Sequence, residues 1–121
     1  ELLITGNKIP YVHRNANFYK ILSAISSKRL GCVLVKEKNN NKLSIITDGD
    51  TARAASRFSD LHKLKASKIM TKNPTFVDEK TLAPEALSIM NKKRITVLLV
   101  RSKRKFKGVV NIHSIIQFMN K

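Results

Sequence analysis

The sequence predicts an α/β (α+β) fold in which one β-α-β-β-α unit is written twice, over residues 1–64 and 65–121, and packed as a pseudo-twofold pair. Three observations lead there. LGCVLV at 30–35 returns as ITVLLV at 95–100, and SIITDGD at 44–50 returns as GVVNIHS at 108–114, with offsets of 65 and 64. Such a fixed spacing is the mark of a duplicated supersecondary unit. In both halves a helical stripe precedes two short β-branched runs. Finally, 121 residues is one domain or two very small ones, and a unit of about 60 residues buries too little of itself to stand comfortably alone. Two copies packed through their sheets would share a core and enclose a cleft, with each strand-to-helix corner facing it.

The elements follow in order. Phe18, Ile21, Leu22 and Ile25 form an i, i+3, i+4, i+7 stripe, and Asn17 ahead of them suits a helix N-cap. Cys32-Val33-Leu34-Val35 reads as a strand, KEKNNNK (36–42) as a polar turn, and Leu43–Ile46 as the returning strand. The corner TDGD leads into a short helix from about Thr51 to Phe58, and residues 59–66 read as a linker. In the second half Thr81 is the expected cap of a helix carrying Leu82, Ala86, Leu87 and Met90, with Pro84 tolerated in its first turn. Val97–Val100 is a strand, RSKRKFK (101–107) its charged turn, and Gly108–Val110 the second strand. A last helix carries Ile112, Ile115, Ile116 and Met119. The segments ahead of each unit also match, Ile9-Pro10-Tyr11-Val12 against Asn73-Pro74-Thr75-Phe76-Val77.

Composition narrows the function. The single cysteine, Cys32, rules out an internal disulfide or a multi-cysteine zinc site, and its apolar run marks it as a buried, inert thiol. No run is long enough to span a membrane. The chain starts at Glu rather than Met, which suggests an excised piece of something longer. A net charge of +16 invites a nucleic-acid partner. Against it, 17 lysines outnumber 7 arginines and 10 asparagines accompany them, the bias of an AT-rich coding sequence. The charge is also spread, +6 over residues 1–64 and +10 over 65–121, rather than gathered in one stripe with interleaved aromatics. Attraction for small anions is the better reading, and RSKRKFK is first of all a solvated turn.

The corner Thr47-Asp48-Gly49-Asp50 admits several chemistries. Asp50 can cap the following helix. Alternatively its carboxylate, with several lone pairs, can accept from two adjacent hydroxyls. Asp48 and Asp50 make a poor magnesium pair, since no other acidic residue lies close in sequence to complete an oxygen shell. His13 and His62 sit in polar surroundings and suggest no metal cluster.

Taken together, the duplication, the element order and the Ser44-Ile45-Ile46-Thr47-Asp48-Gly49-Asp50 corner resemble a tandem cystathionine-β-synthase (CBS) domain pair, or Bateman module. TGNKIPYV (5–12), KRLGCVLV (28–35), ITDGD (46–50), IMTKNP (69–74), EALSIMNKKRITVLLV (85–100) and GVVNIH (108–113) resemble the C-terminal regulatory half of KpsF/GutQ-type arabinose-5-phosphate isomerases. The resemblance implies that the catalytic sugar isomerase (SIS) domain lies outside this sequence, and that these residues hold no catalytic group. It also implies a bacterial cytoplasmic setting and a disc-like homodimer of CBS pairs within a homotetramer. The implied ligand is a nucleotide or nucleotide sugar, AMP/ATP-like or CMP-Kdo-like, in the cleft between the repeats; no cofactor is required. In that reading Asp50 accepts from ribose hydroxyls, Thr47 reaches the phosphate and Arg53 adds charge to it. At the second corner Asn111 stands at the Thr position and Ser114 at the Asp position, so the two-point ribose clamp is lost there, while His113 agrees with the isomerase relatives. The alternatives are an oligomerisation module without a ligand and, weaker, a nucleic-acid-binding CBS pair.

Overall fold

A computed structural model describes residues 2–36 and 42–121. The strands are β1 Tyr11–Val12, β2 Cys32–Lys36, β3 Leu43–Thr47, β4 Phe76–Asp78, β5 Val97–Ser102 and β6 Lys105–Asn111. The α-helices are α1 Phe18–Lys28, α2 Asp48–Arg57, α3 Ala66–Ile69, α4 Ala83–Lys93 and α5 Ile112–Met119. Two three-stranded sheets result, ordered β1-β2-β3 and β4-β5-β6, each with a parallel first pair and an antiparallel second pair. The β-α-β-β-α unit therefore occurs twice. The repeat extends to contacts: Lys36 Nζ lies 4.9 Å from the Tyr11 ring centroid, and 65 residues later the Arg101 guanidinium lies 4.8 Å from that of Phe76.

The chain divides into two compact units, Ile9–Pro74 and Glu1–Lys8 with Thr75–Lys121. In the first, Ile21 and Ile25 of α1 pack on Val33, Val35 and Ile46, all buried. Asn17 caps α1 as its position suggests, its side-chain oxygen accepting from the Lys20 N–H at 2.9 Å. Residues 59–66 are more than a linker. Leu64 and Ala66 are buried, Leu64 beside Phe18 and Ala54, and α3 begins at Ala66. Ile45 exchanges both backbone hydrogen bonds with Thr71, at 3.0 and 2.8 Å.

In the second unit Met90, Leu98, Val100 and Ile115 form the core, with Leu2 and Leu3 packed against it. Ile4 exchanges hydrogen bonds with Val109 at 2.8 and 3.0 Å, as Thr71 does with Ile45. The start of the chain is thus the outer edge of the second unit's sheet. Gly108 lies where the Ile4 carbonyl approaches, and any Cβ there would run into that oxygen.

Two local expectations change. Thr81 does not cap α4: the helix starts after Leu82, whose N–H donates to the Glu85 carboxylate at 3.1 Å, with Pro84 at its second position. Thr81 instead closes a turn, its N–H donating to the Asp78 carbonyl at 3.0 Å. The charged turn is also shorter than seven residues. Ser102 pairs with Lys105, leaving only Lys103 and Arg104 in the loop, both with positive φ (50° and 69°). That is the mirror-image two-residue hairpin turn, whose twist matches the flanking strands. Most of the KEKNNNK turn, residues 37–41, lies outside the described residues.

Candidate functional site

The first corner is built by strand β3 ending one residue before helix α2. Thr47 is extended (φ −105°, ψ 169°) and is the N-cap; Asp50 stands at the third helical position. The cap expected at Asp50 is therefore at Thr47, because a Thr-x-x-Asp pattern closes reciprocally. The Asp50 N–H donates to Thr47 Oγ1 at 3.2 Å, and the Thr47 N–H donates to Asp50 Oδ2 at 2.9 Å. The other carboxylate oxygen, Oδ1, accepts from Arg53 Nη2 at 2.7 Å. The Asp50 side chain is 14% exposed and that of Arg53 65%. Thr47, Asp50 and Arg53 are thus one connected cluster.

Two glycines that carry no chemistry themselves shape it. Asp48 donates its N–H to the Gly31 carbonyl at 3.0 Å, which fastens the corner to the turn before β2. Gly31 has φ 76°, and a Cβ there would stand 3.3 Å from Asp48 Oδ2. Gly49 leaves room for the guanidinium: a Cβ at 49 would stand 3.2 Å from Arg53 Nη1 and 3.6 Å from Thr47 Oγ1. Neither role is visible in sequence beyond the presence of glycine at a strand-to-helix corner. Beneath the corner, Cys32 is buried, and burial, with a smaller part from the Asp48 charge, pushes its thiol up to about 12. That matches the inert thiol expected of it.

The second corner has the same backbone and different chemistry. The Ile112 N–H donates to the Thr96 carbonyl at 2.8 Å, the counterpart of Asp48 on Gly31. Asn111 caps α5, its amide oxygen accepting from the His113 N–H at 2.8 Å and the Ser114 N–H at 3.2 Å. No carboxylate stands at the Asp50 position, and His113 is exposed at the second helical position. Of the other histidines, His13 accepts from the Asn15 N–H within its own turn, and the His62 ring lies 4.9 Å from that of Tyr19. Among the described residues no three His, Cys, Asp or Glu side chains gather as a metal site, and no helix is long and apolar enough to cross a membrane.

Comparison with known proteins decides the family. Residues 66–121 match the family model of the CBS domain. The chain is a pair of CBS domains. Such a pair is a regulatory module and not a catalytic one. Over 118 residues it is 38% identical to the arabinose 5-phosphate isomerase KdsD of Francisella tularensis, covering 97% of this chain and 36% of that protein. It is 36% identical over 116 residues to an uncharacterized protein of Rickettsia prowazekii, covering 96% of this chain and 36% of that one. The CBS pair thus spans 36% of the length of these curated relatives. Its fold matches the crystal structure of the CBS domain pair of protein MJ0100 in complex with 5′-methylthioadenosine and S-adenosyl-L-methionine, with TM-score 0.81 and 21% identity, covering 98% of this chain and 92% of that one.

Proposed function

We propose that this CBS pair is the ligand-sensing regulatory part of a sugar-phosphate isomerase of the arabinose-5-phosphate class, acting in lipopolysaccharide precursor supply in the bacterial cytoplasm. Its ligand is a nucleotide or nucleotide sugar, AMP/ATP-like or CMP-Kdo-like, held at the Thr47–Asp50–Arg53 corner. Its partners are an SIS domain of the same parent chain and further copies of itself, a homodimer of pairs within a homotetramer. The observation that carries the reading is the carboxylate of Asp50, nearly buried yet fixed at the head of a ten-residue helix beside an exposed guanidinium. A carboxylate so placed suits vicinal hydroxyls, and the oriented N–H groups and cation beside it suit a phosphate. Likeness to KdsD supports the parent class, and the adenosine ligands of the MJ0100 pair support the ligand class.

The second corner bears on stoichiometry. Asn111 and Ser114 offer no carboxylate, so His113, Asn111 and Ser114 meet at most another part of the ligand, and one ribose binds per chain. Ligand binding biases the attached domain only as far as its affinity differs between two arrangements. The test is unfolding against a panel of adenosine and cytidine nucleotides, followed by calorimetry on Asp50→Asn. A ligand at a hundredfold of its Kd raises stability by about 2.7 kcal/mol. Asp50→Asn keeps a side-chain acceptor for the Thr47 N–H, so the helix survives while binding weakens about tenfold or more. Equal binding in both proteins removes Asp50 from the site.

A second reading is favoured by one observation. Leu82, Phe118 and Met119 are 66%, 50% and 43% exposed at the two ends of α4 and α5. An oligomerisation module without a ligand would cover such side chains. Under that reading no nucleotide shifts the melting temperature, while the mass measured by light scattering rises with protein concentration.

A further inference from the structure

Arg53 holds a position that the ligand reading does not by itself explain. Its guanidinium does not stand free in wait for a phosphate. It donates to Asp50 Oδ1 at 2.7 Å, the same carboxylate that would receive ribose hydroxyls. Both oxygens of Asp50 are therefore engaged before any ligand arrives, Oδ2 by the Thr47 N–H and Oδ1 by Arg53. The two bonds differ in how easily they yield. The first is part of the helix cap, and losing it strands a backbone N–H. The second joins a side chain that is 65% exposed and whose guanidinium packs over Gly49.

We propose that Arg53 is a specificity-determining residue that makes the corner select ligands carrying both vicinal hydroxyls and an anionic group, through an exchange of partners. The inference rests on the ligand reading of Thr47 and Asp50. A ligand with both features lets Asp50 pass from Arg53 to the hydroxyls while Arg53 passes from Asp50 to the phosphate, so each charge keeps a charge-assisted partner. A bare nucleoside takes the carboxylate and gives the guanidinium nothing in return. It must either compete with Arg53 or accept bonds from a carboxylate whose charge is already matched. Arg53 therefore does two opposite things, attracting phosphate and repelling the uncharged nucleoside.

That opposition gives a signature that a simple phosphate contact lacks. The probes are adenosine and cytidine, each against its 5′-monophosphate, titrated calorimetrically into the whole CBS pair as wild type, Arg53→Gln and Asp50→Asn. In the wild type the monophosphate binds tighter than its nucleoside by about tenfold or more, the worth of one charge-assisted contact. In Arg53→Gln the monophosphate weakens while the nucleoside binds at least as tightly as before, so the preference shrinks to within about threefold. Gly49→Ala, which crowds the guanidinium without removing its charge, strengthens nucleoside binding in the same direction. The proposal is overturned if Arg53→Gln leaves the preference unchanged, or weakens nucleoside and nucleotide by the same factor. Either of those with Asp50→Asn still impaired leaves the ligand reading standing. Wild-type protein that binds none of the four probes overturns both.

Discussion

At the residue scale the most informative side chain is Cys32. It lies in the strand next to β3, fully buried, under the Asp48 carboxylate that belongs to the corner. Burial first, and the nearby negative charge second, push its thiol from 9.0 up to about 12. In the unfolded chain the thiol ionises near its ordinary value; in the native protein it stays protonated three decades higher in hydroxide. Its contribution to stability is fully present below pH 9 and is lost as the pH rises towards 12. From pH 8 to 10 the native state loses about 1 kcal/mol relative to the unfolded chain through this group. Denaturant unfolding at the two pH values measures it by comparing wild type with Cys32→Ala. The variant is less stable at both because it leaves a cavity, but its stability falls less steeply with pH. Parallel slopes would mean that the thiol ionises freely in the folded state. Sequence alone marks Cys32 as buried by its apolar neighbours; it does not reveal Asp48, 16 positions on, as the charge above it.

At the scale of elements, periodicity and capping chemistry account for what was legible. Phe18, Ile21 and Ile25 and the run Cys32–Val35 follow from spacing alone, because burial repeats along a helix or strand, whereas Leu22 of the same stripe is exposed. The corner was legible as a cluster because Thr47, Asp50 and Arg53 are spaced i, i+3, i+6 around one helix start. Its division of labour was not, since Thr and Asp are both good caps and only the backbone angles choose between them. The hairpin of β5 and β6 departs from the sequence expectation for a different reason. Seven residues dense in charge look like a loop, yet alternating side chains along a strand need only one face buried, and Arg101, Lys105 and Lys107 occupy exposed strand positions. The true turn holds Lys103 and Arg104 in a left-handed conformation that favours Asn and Gly. Replacing the pair by Asn-Gly is expected to stabilise the protein by about 0.5–1 kcal/mol, less the gain from reduced like-charge repulsion if salt is high. A rise in melting temperature of a few degrees on the double substitution, larger at low salt, is the outcome that scanning calorimetry checks. A fall would mean that the two side chains hold the hairpin by contacts of their own.

At the scale of the whole molecule, the feature least legible in the sequence is which short segments complete which sheet. Residues 2–5 and 70–72 are too brief to show periodicity, and each follows or precedes its partner strand at long range, Ile4 to Val109 and Thr71 to Ile45. The sequence assigns residues 1–8 to the first repeat by proximity, whereas packing assigns them to the second compact unit. Three contacts bind them there: the double hydrogen bond to Val109, the burial of Leu2 and Leu3 against the core of Met90 and Leu98, and the approach of the Ile4 carbonyl to Gly108. Deleting residues 1–5 therefore removes an edge from one sheet and two apolar side chains from one core. At about 1.5–3 kcal/mol for each buried leucine, discounted because both are only partly buried, the loss is a few kcal/mol and concentrated in the second unit. Hydrogen exchange separates this from a general loosening. The Val109 amide, deprived of the Ile4 carbonyl, exchanges faster, and its neighbours on β5 and in α5 follow as local opening becomes easier. The Ile45 amide, still bonded to the Thr71 carbonyl, keeps its protection, as does the Asp50 amide on Thr47. Equal loss of protection at Val109 and Ile45 would show instead that the start of the chain stabilises both sheets alike.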